Sequence, residues 1–183
     1  RTNYIVRKAT RLSKRSHILA ANVDQTVLIV TLAFPRTSTG FIDRFLTTSE
    51  AYHIPAALVF NKMDLYDPGL AALDQHLRSA YESAGYACLG TSALTGENVE
   101  GFSRLLRGKV SLLAGHSGVG KSALVNAIEP SLNLKTASIS DVHLKGKHTT
   151  TFAEMHPLSG GGYIIDTPGI KEFGLIDFNR GEV

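Results

Sequence analysis

Residues 110–122 read VSLLAGHSGVGKS, a short apolar run followed by Gly115-His116-Ser117-Gly118-Val119-Gly120-Lys121-Ser122. The second part fits G-x-x-x-x-G-K-[ST], and 123–128 continues with the spacing of a helix that starts at the loop, so the motif lies between strand and helix as its chemistry requires. The glycines let backbone N–H groups curl around phosphate oxygens without obstruction by Cβ atoms, and a helix N-terminus adds partial positive charge. In this reading Lys121 reaches the β- and γ-phosphates and the Ser122 hydroxyl binds Mg²⁺. Positions 115–123, ending at Ala123, form the phosphate cradle, with the His116 side chain expected to point outward.

Upstream of the cradle, 56–60 (AALVF) reads as a buried strand and ends at Asn61-Lys62-Met63-Asp64. The carboxyl end of a strand is where open α/β sheets bind ligands. A carboxylate at Asp64 accepts from the two adjacent donors of guanine, a donor pair that adenine lacks. Asn61 is placed to bridge base and neighbouring loops, and the Lys62 stem to cover the ring. Alone, N-K-x-D is a weak signal; beside a phosphate loop it is a strong one. The strand at 87–90 ends at Thr91-Ser92-Ala93-Leu94, whose backbone N–H groups are expected to meet the guanine carbonyl. Taken by itself that tetrapeptide is equally an ordinary turn.

Downstream, the strand at 163–166 closes on Asp166-Thr167-Pro168-Gly169. Asp166 is placed to hold Mg²⁺ through water and the Gly169 N–H to meet the γ-phosphate, although a Pro-Gly turn has the same sequence. Between these motifs, 129–150 shows no period and ends in Gly146-Lys147-His148-Thr149-Thr150-Thr151. A connection this long in a compact domain is usually functional. Thr150 is favoured over its neighbours to complete the Mg²⁺ shell when triphosphate is bound.

The remaining elements alternate in the manner of an α/β fold with a mostly parallel sheet. Strands are predicted at 27–31, 56–60, 87–90, 110–114, 151–156 and 163–166, the last two flanking Gly160-Gly161-Gly162 as a hairpin. Helices are predicted at 41–53, 69–84, 99–106 and 123–128, with Leu70, Leu73, Leu77 and Tyr81 on one face of the second and Gly85 as its stop. Residues 1–22 read as the closing strand and exit of a smaller β module, and 23–183 as the main domain.

Composition narrows the class. In 183 residues, 43% hydrophobic and 19% charged residues describe a globular chain with a real core, and no apolar run approaches membrane-spanning length. The single cysteine, Cys88, excludes an internal disulfide framework and points to a reducing cytoplasm. It sits in an apolar stretch and is expected to pack inertly. Net charge is +3, yet 1–15 carries six basic residues and no acid, so the rest of the chain is net negative. A basic arm on an acidic body suits a polyanion partner as well as it suits a solvated terminus. The start at Arg1 and stop at Val183 read as a fragment.

Ordinary GTPases run from phosphate loop through switch threonine and DxxG to NKxD. Here NKMD and TSAL come first, a circular permutation of the same strand order. With that order, GHSGVGKSALVNAI, GKHTTT, DTPGIKEFGL and the exit segment Ala21-Asn22-Val23-Asp24-Gln25, the sequence resembles the bacterial family of GTPases that depend on the small ribosomal subunit (the RsgA, or YjeQ, family). The resemblance runs over essentially the whole chain.

It implies a P-loop NTPase three-layer sandwich, permuted, with the remnant of an N-terminal OB-fold and a zinc module outside this chain. It further implies GTP hydrolysis with Mg²⁺, stimulated by the small subunit and acting late in its maturation, with contacts to rRNA, in the bacterial cytoplasm, as a monomer. His148 takes a catalytic role by the same resemblance, and Lys147 stands where arginine is common. The position after Gly169 is Ile170, where Ras-type enzymes carry the glutamine that orients water, so unassisted turnover is expected to be slow and His148 is the local substitute. A solvent-facing loop histidine is the alternative. Permuted GTPases of the large subunit usually carry Pro-Asn where this chain has Ser117-Gly118, and a switch bound to a protein is the other reading.

Overall fold

A computed structural model of the chain describes residues 3–8, 16–136 and 154–166. His148, Thr150, Gly169 and Ile170 lie outside these residues, as do Lys147 and most of the segment between Leu134 and Glu154.

The described elements are β1 (Tyr4–Lys8), β2 (Ser16–Ala21), β3 (Gln25–Val30), α1 (Thr39–Ala51), β4 (Ala56–Phe60), α2 (Pro68–Ser83), β5 (Ala87–Gly90), α3 (Val99–Leu106), β6 (Val110–Ala114), α4 (Lys121–Ile128), β7 (Glu154–Pro157) and β8 (Tyr163–Asp166). Six strands form one sheet in the order β5-β4-β3-β6-β8-β7, parallel except where the edge strand β7 runs antiparallel to β8. From β3 the chain steps outward through β4 to β5, then returns to place β6 on the other side of β3. The order therefore reverses between β3 and β6, which is where open parallel sheets leave a crevice beyond their carboxyl ends.

Alternation along the strands builds two cores. Leu28, Val30, Leu58, Phe60, Leu112, Ala114 and Ile165 face α1, through Phe41, Ile42, Phe45 and Leu46, with Leu70, Leu73, Leu77 and Tyr81 of α2 packed at the margin. Val27, Ile29, Ala57, Val59, Leu113 and Ile164 face the other way, onto Phe102 and Leu106 of α3 and Leu124 and Val125 of α4. Helices thus cover both faces, the three-layer arrangement expected of strands with continuous apolar runs. Phe45, Phe60 and Phe102 are wholly buried, and truncating any one to alanine costs about 3–5 kcal/mol.

The sequence reading holds for every main-domain strand and helix it named; the ranges at 56–60, 87–90, 99–106, 110–114 and 163–166 are unchanged and the others shift at their ends. The first main-domain strand begins at Gln25, a buried polar residue whose amide donates to the Leu105 carbonyl of α3 and to the Ser111 hydroxyl of β6. α1 starts at Thr39, behind the Ser38 cap. α2 starts at Pro68, behind Asp67, whose carboxylate accepts from the Leu70 N–H at 2.7 Å. Ahead of the sheet, β1 and β2 form a two-stranded antiparallel pair where one strand had been read. Cys88 is half-buried and burial pushes its thiol up to about 11, which keeps it protonated and inert as expected. Among the described residues no helix is long and apolar enough to cross a membrane.

Candidate functional site

The carboxyl ends of β3, β4, β5, β6 and β8 bring the sequence motifs to one edge of the sheet. The glycine loop after β6 turns through positive φ at Gly115, Gly118 and Gly120. At Gly120 two constraints coincide: φ is +93°, and a Cβ there would collide with the Asn61 Nδ2. At Gly115 a Cβ would collide with the Ile29 carbonyl oxygen of β3. The loop delivers Lys121 and Ser122 to the first turn of α4. Unlike α1 and α2, α4 has no side-chain cap, which leaves its first N–H groups without the acceptor that capping supplies.

Asn61 is the junction of three loops. Only 1% exposed, it donates from Nδ2 to the Val119 carbonyl at 2.9 Å. Its Oδ1 accepts from the Thr91 hydroxyl and from the Ala93 N–H, each at 3.2 Å. The Met63 N–H donates to the Thr91 carbonyl at 3.1 Å. Lys62 takes the left-handed conformation, and its Nζ donates to the Phe34 carbonyl at 2.7 Å. Burial lowers the Lys62 pKa, with Asp64 opposing.

Asp64 is exposed, and its carboxylate accepts a hydrogen bond from the Ser92 hydroxyl. The sequence assigns Ser92 a backbone role, whereas here its side chain makes the contact. The Ser92 N–H is instead spent on the Glu97 carbonyl, as the Ala93 N–H is on Asn61. Leu94 follows, fully on the surface.

On the phosphate side, the Lys121 ammonium lies 3.0 Å from Asp166 Oδ1, both side chains largely buried. The same oxygen is buried without a hydrogen bond, so the ion pair is its one neutralising contact among the described residues. A carboxylate oxygen and a serine hydroxyl are hard oxygen donors of the kind Mg²⁺ prefers, and Asp166 and Ser122 supply one each at the end of β8 and at the start of α4. The described residues hold no cluster of three His, Cys, Asp or Glu, and a Mg²⁺ that shares nucleotide phosphates requires none.

The His116 ring packs on Phe41 of α1, centroids 4.1 Å apart and planes tilted by 35°. Beyond α4, Glu129 accepts from the Ser131 hydroxyl at 2.6 Å and from the Ser159 N–H of the β7–β8 turn at 2.7 Å, and these bonds hold its carboxyl down to about 2. Asn126 brackets Leu134 with two hydrogen bonds of 2.8 Å. Neither residue carries a motif signal, so sequence reading passed over both.

The sequence model of the family described as RsgA GTPase matches residues 1–176. The chain belongs to the RsgA GTPase family. The small ribosomal subunit biogenesis GTPase RsgA of Bacteroides fragilis is 55% identical over the whole chain, and that of Phocaeicola vulgatus 56%. The chain spans about 59% of the length of each. Among solved structures, YjeQ from Thermotoga maritima is 43% identical, with a TM-score of 0.69 over 82% of this chain and 49% of that one. YloQ, described as a circularly permuted GTPase, is 27% identical, with a TM-score of 0.65 over 94% of this chain and 58% of that one. The fold is accordingly a circularly permuted P-loop NTPase domain, as the motif order implied.

Proposed function

We propose that this chain is the guanine-nucleotide domain of a GTPase that serves biogenesis of the small ribosomal subunit. The observation that carries the reading is Asn61, which ties the NKMD loop to both the TSAL loop and the glycine loop. A lone glycine-rich turn has no need of that link; a pocket that reads base and phosphates together does.

In this proposal Asp64, held by Ser92, accepts from the two guanine donors, the Lys62 stem covers the ring, and the Leu94 N–H meets the base carbonyl. The N–H groups from Gly115 to Ala123 surround the phosphates, and Lys121 exchanges Asp166 for the β- and γ-phosphate oxygens. Ser122, Asp166 and Thr150 hold Mg²⁺, which when bound neutralises phosphate charge and fixes the reacting phosphoryl group. The Gly169 N–H senses the γ-phosphate. His148 orients the attacking water in place of the side chain that Ile170 cannot supply.

The relatives' names support the small ribosomal subunit as the partner; contact with its rRNA and action in the cytoplasm belong to the same proposal. The β1–β2 pair is proposed as the end of an OB-fold within residues 1–22, with 23–183 as the GTPase domain, monomeric in action. Titration with a fluorescent GDP analogue, competed by GTP, GDP and ATP, tests the base assignment. Displacement by guanine nucleotides and not by ATP is expected; displacement by ATP at similar concentration refutes it.

A further inference from the structure

Residues 31–37, between β3 and α1, carry none of the motifs, yet they touch both halves of the nucleotide site. The segment closes on itself. The Thr37 N–H donates to the Thr31 carbonyl at 2.8 Å, the Thr31 N–H to the Thr37 hydroxyl at 3.3 Å, and the Ala33 N–H to the Thr31 hydroxyl at 3.1 Å. Thr31, Leu32, Ala33 and Thr37 are buried. The tip, Phe34-Pro35-Arg36, is exposed, Phe34 at 80%.

Two contacts leave this tip. The Phe34 carbonyl accepts from the Lys62 ammonium at 2.7 Å. The Pro35 ring lies over the glycine loop, with its Cδ 3.4 Å from where a Cβ on Gly118 would stand. A third contact comes from the start of α1, where Phe41 packs on His116. A long flexible lysine loses considerable rotamer entropy when its ammonium is fixed, up to about 2 kcal/mol. Here that fixing is done by a loop whose own ends are tied, before any base arrives.

The geometry points to the 31–37 loop as a positioning element of the nucleotide site, which holds Lys62 in place for the base and backs the glycine loop at Gly118. This rests on the proposal that Lys62 covers guanine. The loop touches no reacting atom; it acts through Lys62. Its cost when loosened is a weaker grip on base and ribose, with phosphate chemistry unchanged. The signature is therefore a rise in Kd and KM with kcat retained.

A double-mutant cycle separates this role from general support. Pro35→Gly loosens the tip without emptying the core, and Lys62→Met keeps the stem while removing the ammonium. Affinity for a fluorescent GDP analogue is measured for the wild type, each single variant and the double variant, with melting temperatures recorded alongside. Each single variant is expected to weaken binding about 5–10-fold, and the double variant no more than either, because both remove the same fixed lysine. Multiplying losses, or a Pro35→Gly protein with unchanged affinity, overturns the inference. Absence of GDP binding by the wild type overturns the nucleotide reading itself. As a second probe, Phe34→Ala keeps the carbonyl and is expected to bind within about twofold of wild type; a loss as large as that of Pro35→Gly also overturns the inference, since it makes the side chain the active part.

Discussion

The Asn61 amide donates to the Val119 carbonyl at 2.9 Å, joining the loop after β4 to the loop after β6 across 58 positions of sequence. The approach is close enough that Gly120 cannot carry a side chain. In the permuted order these loops are no longer in the sequence direction of ordinary GTPases, yet the sheet restores their adjacency because β3, flanked by β4 and β6, lies between them.

Asn61→Ala should be among the most damaging polar substitutions in the domain. It strips partners from the Val119 carbonyl, the Ala93 N–H and the Thr91 hydroxyl. At about 1–3 kcal/mol for a buried group left unsatisfied, a total loss near 3 kcal/mol is expected. Calorimetry should record a melting temperature lower by roughly 6–12 °C. An unchanged melting temperature contradicts the junction role.

Asp64→Asn should exchange base preference. The amide can donate to the extra carbonyl of xanthine and no longer accepts twice from guanine, so GTP affinity falls and xanthosine triphosphate gains. A change of about 10²-fold or more in the ratio of the two Kd values is expected, since a polar mismatch covered by the bound base is heavily penalised. Competition binding reads it directly, and an unaltered ratio sinks the assignment of Asp64.

How far the sequence carried this account depends on whether a residue's partner is local. The phosphate loop, the strand it follows and the helix it opens are neighbours in sequence, so their geometry was legible from GHSGVGKS alone. The continuous apolar runs of β3 and β4 likewise mark strands buried on both faces, while which residue meets which helix depends on distant partners. The Ser92–Asp64 bond links residues 28 apart and the Phe34–Lys62 bond another 28, and neither serine nor phenylalanine announces such a role. The His116–Phe41 stacking joins residues still farther apart, and nothing in the phosphate-loop motif names that partner. Within 1–22 the sequence shows one closing strand without bounds, where the structure has the β1–β2 pair.

Ser122→Ala and Lys121→Ala should divide the phosphate site. Loss of the Ser122 hydroxyl is expected to weaken Mg²⁺-dependent turnover at least tenfold while GDP still binds. Loss of Lys121 should weaken nucleotides broadly and leave the Asp166 carboxylate without its ammonium. Binding measured with Mg²⁺ and with EDTA distinguishes the two, and normal hydrolysis by both variants contradicts the site.

Glu129 gives a pH prediction of definite sign. Its carboxyl is held at about 2, first by the Ser131 hydroxyl and then by Ser159, below the ordinary carboxylate value. A depressed folded-state pKa adds stability that is fully present above the unfolded value near 4.5 and is lost as pH falls toward about 2. Urea unfolding between pH 5 and 3 should therefore show a steeper acid loss for wild type than for Glu129→Gln. Parallel losses for the two proteins contradict this role.

The most direct test of the central claim is GTP turnover in Mg²⁺ by the full-length protein, with and without purified small ribosomal subunits. The account predicts slow hydrolysis alone, around the roughly 10⁻⁴–10⁻³ per second of unassisted GTPases that lack a supplied catalytic group. It predicts a rise of at least tenfold when small subunits are added, no rise with large subunits, and no comparable turnover of ATP. Equal turnover of ATP and GTP, or a rate indifferent to small subunits, contradicts it.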